Sequence, residues 1–252
     1  MNKQIVVLGM HRSGTSILSK VLINLGVDMG EGDSQGGISN IDGHNEDFDM
    51  LSINEEFLQI LGASWHTPPE AALIEINKNH IQRAYADFVE GKSGLWGVKE
   101  PRLSLFVKYL DVHLDNPKYI YITRNSEQVE KSINVRDGIP TNECCLIKKQ
   151  YDECIKSFLI DKKSLNITYE RLLSEPEKTL TSICNYLDLE YDESAISHIK
   201  TSEQLESVKR KKLKELVIFL ISKSIKEPRK IFKISNVKLV SKVFRRFREL
   251  FL

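Results

Sequence analysis

The apolar positions of the chain fall into short continuous runs separated by longer amphipathic segments. The first run, residues 5–8, is rich in β-branched residues and ends at Gly9, which is typical of a buried parallel strand. The next apolar positions lie on one face of a helix that Gly26 ends: Ile17, Leu18, Val21, Leu22 and Leu25. The chain is therefore predicted to open with a strand, a tight glycine loop and a helix.

Strands and helices are predicted to alternate along most of the chain. Three more apolar runs predict strands, at 95–98, 118–123 and 165–168. Amphipathic spacing and breaker residues predict helices at 48–61, 71–89, 103–114 and 141–160, and a last one ending near 187. Two helix starts carry cap signals: Asn125 with Gln128, and the capping box Ser174-Glu175-Pro176-Glu177. This order predicts an α/β domain of three layers, α/β/α, whose mostly parallel sheet binds ligands at the carboxyl ends of its strands.

Charge is distributed unevenly between this domain and the end of the chain. Residues 205–252 hold 15 Lys and Arg against 4 Asp and Glu, a formal charge of +11, whereas residues 1–204 hold 21 against 31, or −10. Apolar residues recur at helical spacing among the last basic ones: Val240, Val243, Phe244, Phe247 and Phe251. We therefore expect a helical basic C-terminal extension at 205–252. It could lie on an anionic membrane surface, bind a polyanionic acceptor or pack on its own domain, and it carries no motif for nucleic acid.

The cysteines and the apolar runs indicate the compartment. The four cysteines have neither a CxxC spacing nor a paired framework: Cys144, Cys145, Cys154 and Cys184. We expect reduced, mostly buried thiols in a cytoplasmic protein without a metal site. No signal peptide is expected, because Lys3 leads directly into the first strand, and no apolar run approaches the roughly 18 residues of a membrane span. Membrane contact is expected only peripherally, at the inner face, through 205–252.

The glycine loop is the first candidate for chemistry. Gly9 and Gly14, followed by Thr15 and Ser16, have the spacing of a Walker A loop with threonine in place of its lysine. Backbone N–H groups of such a loop can surround a phosphate at the positive end of the following helix. Arg12 offers a cation inside the loop. The sequence therefore favours anion binding over a glycine turn that only packs tightly.

The segment 11–16 resembles the 5′-phosphosulfate loop of sulfotransferases, particularly the bacterial branch with an R-S-G-T-S core. The resemblance implies a P-loop-like fold and a 3′-phosphoadenylyl sulfate (PAPS) donor, with adenosine 3′,5′-bisphosphate (PAP) as product and no metal. It also implies which residues bind the 5′-phosphosulfate: Arg12, Ser13, Gly14, Thr15 and Ser16. Arg12 would in addition stabilise the leaving phosphate.

A second motif lies at the end of the strand at 118–123. Arg124 follows that strand, and Ser132 comes eight residues later on the next helix. The two side chains can converge on one phosphate, which the arginine would bind in bidentate fashion. They resemble the sulfotransferase 3′-phosphate site, strand–Arg–x7–Ser. The alternative is a surface arginine and a helix serine that share no partner.

Two further elements follow the family pattern on the acceptor side. Residues 96–102 are similar to the W-G-x-K-D-P-R stretch of the bacterial branch, with Glu100 where aspartate is usual. Lys99 would hold the sulfonate, and Glu100 or Arg102 would orient the acceptor; alternatively, Glu100 and Arg102 form an ion pair that shapes the loop. Residues 43–46 resemble a G-x-x-E element that borders the acceptor pocket. The candidates for the general base are Glu46 first and Glu100 second, then His44 and His11.

The resemblance covers about residues 4–195 and includes Tyr169 and Glu170, which we interpret as structural. The resemblance implies transfer of a sulfonate from PAPS to a hydroxyl of an acceptor. The implied acceptor is a carbohydrate or a glycolipid. One alternative is a P-loop kinase or NTPase with an altered Walker A loop, which would bind ATP with magnesium. Another is a non-catalytic, membrane-associated binding protein that keeps the loop.

Overall fold

A four-stranded parallel sheet forms the centre of the molecule. The computed structural model describes residues 3–32 and 43–200, together with six positions between 204 and 215. The strands are β1 (Lys3–Leu8), β2 (Leu95–Lys99), β3 (Lys118–Thr123) and β4 (Ser164–Thr168). They lie in the order β2-β1-β3-β4, and every neighbouring pair is parallel. β1 thus lies between two strands, as its continuous apolar sequence predicts.

Helices connect and cover these strands. Within residues 3–32 and 43–200 they are α1 (Thr15–Asn24), α2 (Phe48–Ile60), α3 (Ala71–Glu90), α4 (Leu103–Asp111), α5 (Ser126–Asp137), α6 (Thr141–Leu159), α7 (Tyr169–Ser174) and α8 (Pro176–Leu187), followed by a 3₁₀ turn (Glu193–Ile196). Most predicted ends agree to within two residues. The largest difference is at α4, which ends at Asp111 and not at 114.

Apolar side chains pack on both faces of the sheet. Val6 and Leu8 of β1 point into a core that helices α2 to α6 complete. Ile5 and Val7 point to the opposite face, where α1, α8 and the 3₁₀ turn cover them. Alternate side chains of a strand face opposite sides, so a strand without polar positions requires a helical layer on each side. The prediction of a three-layer α/β/α fold is confirmed.

The helix caps agree with the sequence at one of two predicted positions. Asn125 caps α5, because its Oδ1 accepts a hydrogen bond from Gln128 N at 3.2 Å. The capping box at 174–177 is wrong: Ser174 is the last residue of α7, Glu175 is the N-cap of α8, and no side chain caps that helix. Pro176 nevertheless occupies the first helical turn, where its missing N–H costs nothing.

All four cysteines are free, but only Cys144 and Cys184 are buried, and Cys145 is exposed. Among the residues described, none of the helices combines the length and the apolar character needed to cross a bilayer. Nor does that part of the chain contain a cluster of three His, Cys, Asp or Glu side chains arranged to hold a metal ion. The predicted amphipathic stripe of the extension, at 240–251, lies outside the described residues.

Candidate active site

The loop between β1 and α1 requires two glycines. Gly14 has a φ of 100°, and a Cβ there would lie 2.5 Å from Cδ2 of Tyr169. A Cβ on Gly9 would lie 2.7 Å from the carbonyl oxygen of Ile122 in β3. Arg12 also adopts the left-handed region, with a φ of 70°, which costs a residue with a side chain about 1–3 kcal/mol. Local backbone strain is therefore stored in this loop, directly beside the end of β3.

Hydrogen bonds within the loop hold its shape and leave the start of α1 open. Ser13 donates to the Met10 carbonyl twice, through its hydroxyl and through its N–H at 3.2 Å. The N–H of Gly9 donates to Ser104 Oγ at 3.3 Å. No side chain caps α1, which begins at Thr15. The positive end of the α1 dipole therefore faces the loop, as it does in phosphate-binding loops.

The predicted donor-binding residues of the loop differ in accessibility. Arg12, Gly14 and Ser16 reach the surface, whereas Ser13 and Thr15 are buried. Both donor groups of Ser13 are used inside the loop, so its direct contact with a donor stays a prediction. Thr15 occupies the position of the Walker lysine, and its buried side chain supplies no cation there.

Arg12 joins the two predicted phosphate sites. Its Nε donates to Ser132 Oγ at 2.9 Å, and its carbonyl oxygen accepts a hydrogen bond from Nη1 of Arg124 at 3.2 Å. The Nε of Arg124 is buried and has no partner. Arg12, Arg124 and Ser132 thus converge at one end of the sheet, although 112 residues separate the two arginines. A buried N–H donor without an acceptor costs about 1–3 kcal/mol, which an anionic ligand would recover.

Tyr169 contacts Arg124, and Glu170 contacts the neighbouring Asn125. Cζ of Arg124 lies 4.3 Å from the ring centroid of Tyr169, which makes it a cation–π pair. Glu170 Oε1 accepts a hydrogen bond from Asn125 N at 2.9 Å and so fixes the junction of β3 and α5. The structural role expected of both residues agrees with these contacts.

Lys99 and Glu46 form a buried pair beside the loop. Lys99 ends β2, is fully buried, and its Nζ donates to Glu46 Oε1 at 3.0 Å and to the His44 carbonyl oxygen. Burial lowers the pKa of Lys99 despite the opposing effect of Glu46. Nδ1 of His44 lies 3.9 Å from Glu46 Oε1. The adjacent Asn45 donates to the carbonyl oxygen of Ser16 at 3.4 Å, which places this carboxylate next to the loop.

Glu100 is engaged through both of its oxygens. Oε1 pairs with Nη1 of Arg102 at 2.5 Å, and Oε2 accepts a hydrogen bond from Asn54 Nδ2 at 2.8 Å. Arg102 also pairs with Glu55 Oε1 at 2.5 Å. Burial raises the pKa of Glu100 to about 7, against the lowering effect of Arg102. The ion pair that shapes the loop is thus present. Glu100 as general base stays a prediction, and its full burial weighs against direct contact with an acceptor.

Comparison with known proteins shows the family of the chain. A family model described as "Sulfotransferase family" matches residues 4–193. The chain belongs to the sulfotransferase family. Membership makes it a transferase by class. A search of curated proteins by sequence finds no match.

Solved sulfotransferase structures share the fold at low sequence identity. A sulfotransferase domain from the curacin biosynthetic pathway is 17% identical, with a TM-score of 0.50 over 78% of this chain and 77% of that one. The domain from the Synechococcus PCC 7002 olefin synthase is 19% identical, with a TM-score of 0.50 over 78% and 76%. Sulfotransferase STF9 from Mycobacterium avium is 13% identical, with a TM-score of 0.54 over 79% and 67%.

In this sulfotransferase two aromatic residues that the sequence did not indicate, Trp65 and Tyr151, pack against His11 of the loop. His11 is 7% exposed, and its ring lies 4.7 Å from Trp65 and 6.1 Å from Tyr151 between centroids. Nε2 of His11 is buried without a partner. The only sequence signal was a tryptophan shortly before Pro68-Pro69, between two predicted helices. Tyr151 is far away along the chain, and no motif points to it.

Burial and nearby cations together lower the pKa of His11. Burial is the main cause that holds its pKa well below 6.5, and four cations contribute further: Arg102, Arg136, Lys99 and Arg12. A neutral imidazole can accept a proton in principle, but a pKa this low makes His11 a weak base at neutral pH. Two candidate bases of this sulfotransferase combine a position next to the loop with partly exposed side chains, Glu46 at 13% and His44 at 40%.

Proposed function

We propose that this protein transfers a sulfonate group from PAPS to a hydroxyl of a saccharide acceptor. The contact of Arg12 with Ser132 and Arg124 carries the proposal, because it joins a 5′-phosphate loop and a second anion site into one cluster. PAPS has a phosphosulfate at the 5′ position and a phosphate at the 3′ position, and it matches two adjacent anion sites. We assign this activity to a domain at 1–204, with 205–252 as an extension.

The donor would be held by backbone groups and arginines. In our assignment the loop and the start of α1 bind the 5′-phosphosulfate through Arg12, Gly14, Thr15 and Ser16, while Ser13 keeps the loop in shape. The fit of the second site rests on the buried Nε of Arg124, a donor without an acceptor. Arg124 and Ser132 would bind the 3′-phosphate. Thr15 at the Walker lysine position argues against a triphosphate, since nothing there replaces the cation.

The transfer step needs positive charge at the leaving group and a base at the acceptor. The acceptor oxygen forms its bond to sulfur while the bond from sulfur to the 5′-phosphate oxygen breaks, and the electron pair leaves on that phosphate. Arg12 and the α1 dipole would stabilise the charge that develops there. Glu46 would take the hydroxyl proton. With this charge supplied by side chain and backbone, the proposed step requires no metal ion.

Lys99 has a different role in this scheme from the one that the sequence suggested. We predicted that it holds the sulfonate oxygens, but its ammonium group is buried against Glu46 and the His44 carbonyl. We assign it to holding the Glu46 carboxylate in place through the hydrogen bond of 3.0 Å to Oε1.

The decisive test of the donor is a calorimetric comparison. PAP should bind the full chain without magnesium and more tightly than 5′-AMP or ATP–Mg²⁺. Tighter binding of ATP–Mg²⁺ would favour a kinase or NTPase. Stoichiometric binding of PAP with no sulfonate transfer to any hydroxyl acceptor in a broad screen would favour a binding protein.

The acceptor is proposed to be a carbohydrate or glycolipid at the inner face of the membrane of a bacterial cell, with the enzyme cytoplasmic. The proposal rests on the resemblance to the bacterial branch and on the basic extension, which suits an anionic or membrane-borne acceptor. Transfer of radiolabelled sulfonate to cell-envelope fractions tests it. Replacing Arg245, Arg246 and Arg248 with glutamine should lower labelling of envelope but leave PAP binding intact.

A further inference from the structure

Arg136 is a cation of the site that the proposed chemistry does not use. It lies in the last turn of α5, its side chain is 18% exposed, and its Nε donates to Asp137 Oδ2 at 2.6 Å. Its Cζ lies 5.1 Å from the centroid of the Trp65 ring. No described residue accepts a hydrogen bond from its two Nη groups, and neither group is sealed from solvent. The two Nη groups can therefore donate to a ligand, beside the Trp65 ring that in turn lies 4.7 Å from the ring of His11 in the loop.

Trp65 holds this guanidinium in place. The Trp65 carbonyl oxygen accepts a hydrogen bond from the Tyr151 hydroxyl at 3.0 Å. The turn around it is closed by two backbone hydrogen bonds of 3.2 Å between Ser64 and Thr67. These bonds hold the backbone of Trp65, and its indole packs against the ring of His11. The arginine that lies over this indole therefore has less side-chain freedom to lose when it binds an anion.

The position of Arg136 separates it from the donor. Along α5, Arg124 and the N-cap lie at one end, Ser132 contacts Arg12 of the loop, and Arg136 follows one turn later. At 1.5 Å per residue it lies about 6 Å beyond Ser132, on the side away from the proposed 3′-phosphate site. That distance is close to the length of one sugar unit.

The other two cations on this side are already compensated. Lys99 is paired with Glu46, and Arg102 is paired with both Glu100 and Glu55. Arg136 pairs with Asp137 through its Nε, which leaves its two Nη groups for another partner. Two such groups on a partly buried guanidinium favour an anionic ligand, and they match a carboxylate in bidentate fashion.

We infer that Arg136 binds an anionic group of the acceptor, and that the acceptor is a saccharide carrying a carboxylate or similar oxyanion within about one sugar unit of the reacting hydroxyl. Trp65 is then a positioning residue for Arg136. This inference rests on the proposed function, since it names the chemistry of the acceptor at the same site.

Tryptophan fluorescence of the full chain tests the inference. The protein has two tryptophans, and Trp96 is buried, so a ligand at Arg136 should change mainly the emission of Trp65. With PAP at saturation, an unsulfated chondroitin hexasaccharide, which has a carboxylate on every second sugar, should bind about tenfold or more tightly than neutral chitohexaose. Arg136→Gln should remove that preference. Lys131→Gln, an exposed cation of the same helix, should keep it.

Several results would overturn the inference. They are equal affinity for the two hexasaccharides in the wild type, no binding of either one, or an unchanged preference in Arg136→Gln. A loss of PAP affinity in Arg136→Gln would assign Arg136 to the donor instead. If that variant does not fold, Arg136→Lys keeps the charge over Trp65 without the fork and should lose part of the preference. Failure of the wild type to bind PAP would contradict the proposed function itself, and so the two failures are distinguishable.

Discussion

The proposed donor side and the proposed acceptor side of the site differ in how their charged groups are paired. On the donor side, Arg124 keeps a buried donor without an acceptor, and the start of α1 has no side-chain cap. On the acceptor side, Lys99 and Glu100 are fully buried, but each one is paired with an opposite charge. One side leaves its positive groups for a ligand, and the other neutralises its charges internally.

Because of this difference, cationic side chains on the two sides have different roles. A cation without a partner in the protein contributes to ligand binding and transfer. Its removal does not lower the stability of the folded protein, because an unpaired charge is itself unfavourable there. A cation that compensates a buried carboxylate contributes to folding, and its removal leaves that carboxylate unpaired in the interior. Arg124, whose buried Nε has no acceptor, belongs to the first kind, whereas Arg102 belongs to the second.

The largest effect on stability is expected from Arg102→Ala. Glu100 would lose its main partner while it stays buried, which costs about 3–5 kcal/mol of unfolding free energy. Urea unfolding at neutral pH measures this loss. Arg102→Lys should recover part of it, because a charge remains near the carboxylate. A loss below about 1 kcal/mol would show that the acceptor side is not held by this pair.

Arg12→Ala should give the opposite result. We expect kcat for sulfonate transfer to fall by about 10²–10³-fold, since Arg12 faces the charge that develops on the leaving phosphate. The free energy of unfolding should change less than in Arg102→Ala, because Arg12 Nε donates to a neutral hydroxyl, that of Ser132, and not to a buried carboxylate. Transfer assays and urea unfolding on the same preparation check both halves. A large loss of stability with normal turnover would erase the contrast between the two sides.

The buried carboxyl of Glu100 should make stability depend on pH. Its pKa is about 7 in the folded protein and 4.5 ordinarily, so between these values the folded state holds a proton that the unfolded chain has released. The free energy of unfolding therefore falls as the pH rises from about 4.5 to 7. Compared with Glu100→Gln, the wild type should lose about 2 kcal/mol more between pH 5 and pH 7.5. His11, whose lowered pKa acts in the opposite direction, is common to both proteins, and parallel pH profiles would refute the prediction.

Arg124→Ala tests the assignment of the 3′-phosphate site on the proposed donor side. PAP should bind about tenfold or more weakly, whereas 5′-AMP affinity should stay nearly unchanged, because only PAP carries the 3′-phosphate. Calorimetry with the two nucleotides measures the ratio. Lys131→Gln serves as the control for a general loss of positive charge on α5. Equal losses for both nucleotides would remove Arg124 from the 3′-phosphate site.

The strand–loop–helix unit at the start of the chain could be predicted because its causes are local. Apolar β-branched residues, two glycines and a helical stripe occur within 25 residues, and each constrains the backbone directly. The second motif at Arg124 and Ser132 was recognisable for the same reason, since a strand end and the next helix are neighbours along the chain.

The acceptor side could be predicted only in part, because its pairings are made across the fold. Lys99 and Glu46 are 53 residues apart, and Tyr151 reaches Trp65 from 86 residues away. A sequence shows that such side chains exist, but which charge compensates which one depends on how the helices pack. The capping box failed for a similar reason, because α7 extends through Ser174 and takes the residue that was expected to cap α8.

The contact between Gly14 and Tyr169 links the order of synthesis to the ability to bind a nucleotide. The loop leaves the ribosome well before the ring that packs against it and holds Arg124, because that ring belongs to α7, more than 150 residues later. A nascent chain that has not yet exposed α7 has the loop without its support. Donor affinity should therefore appear late and abruptly during translation, only when β4 and α7 have joined the sheet.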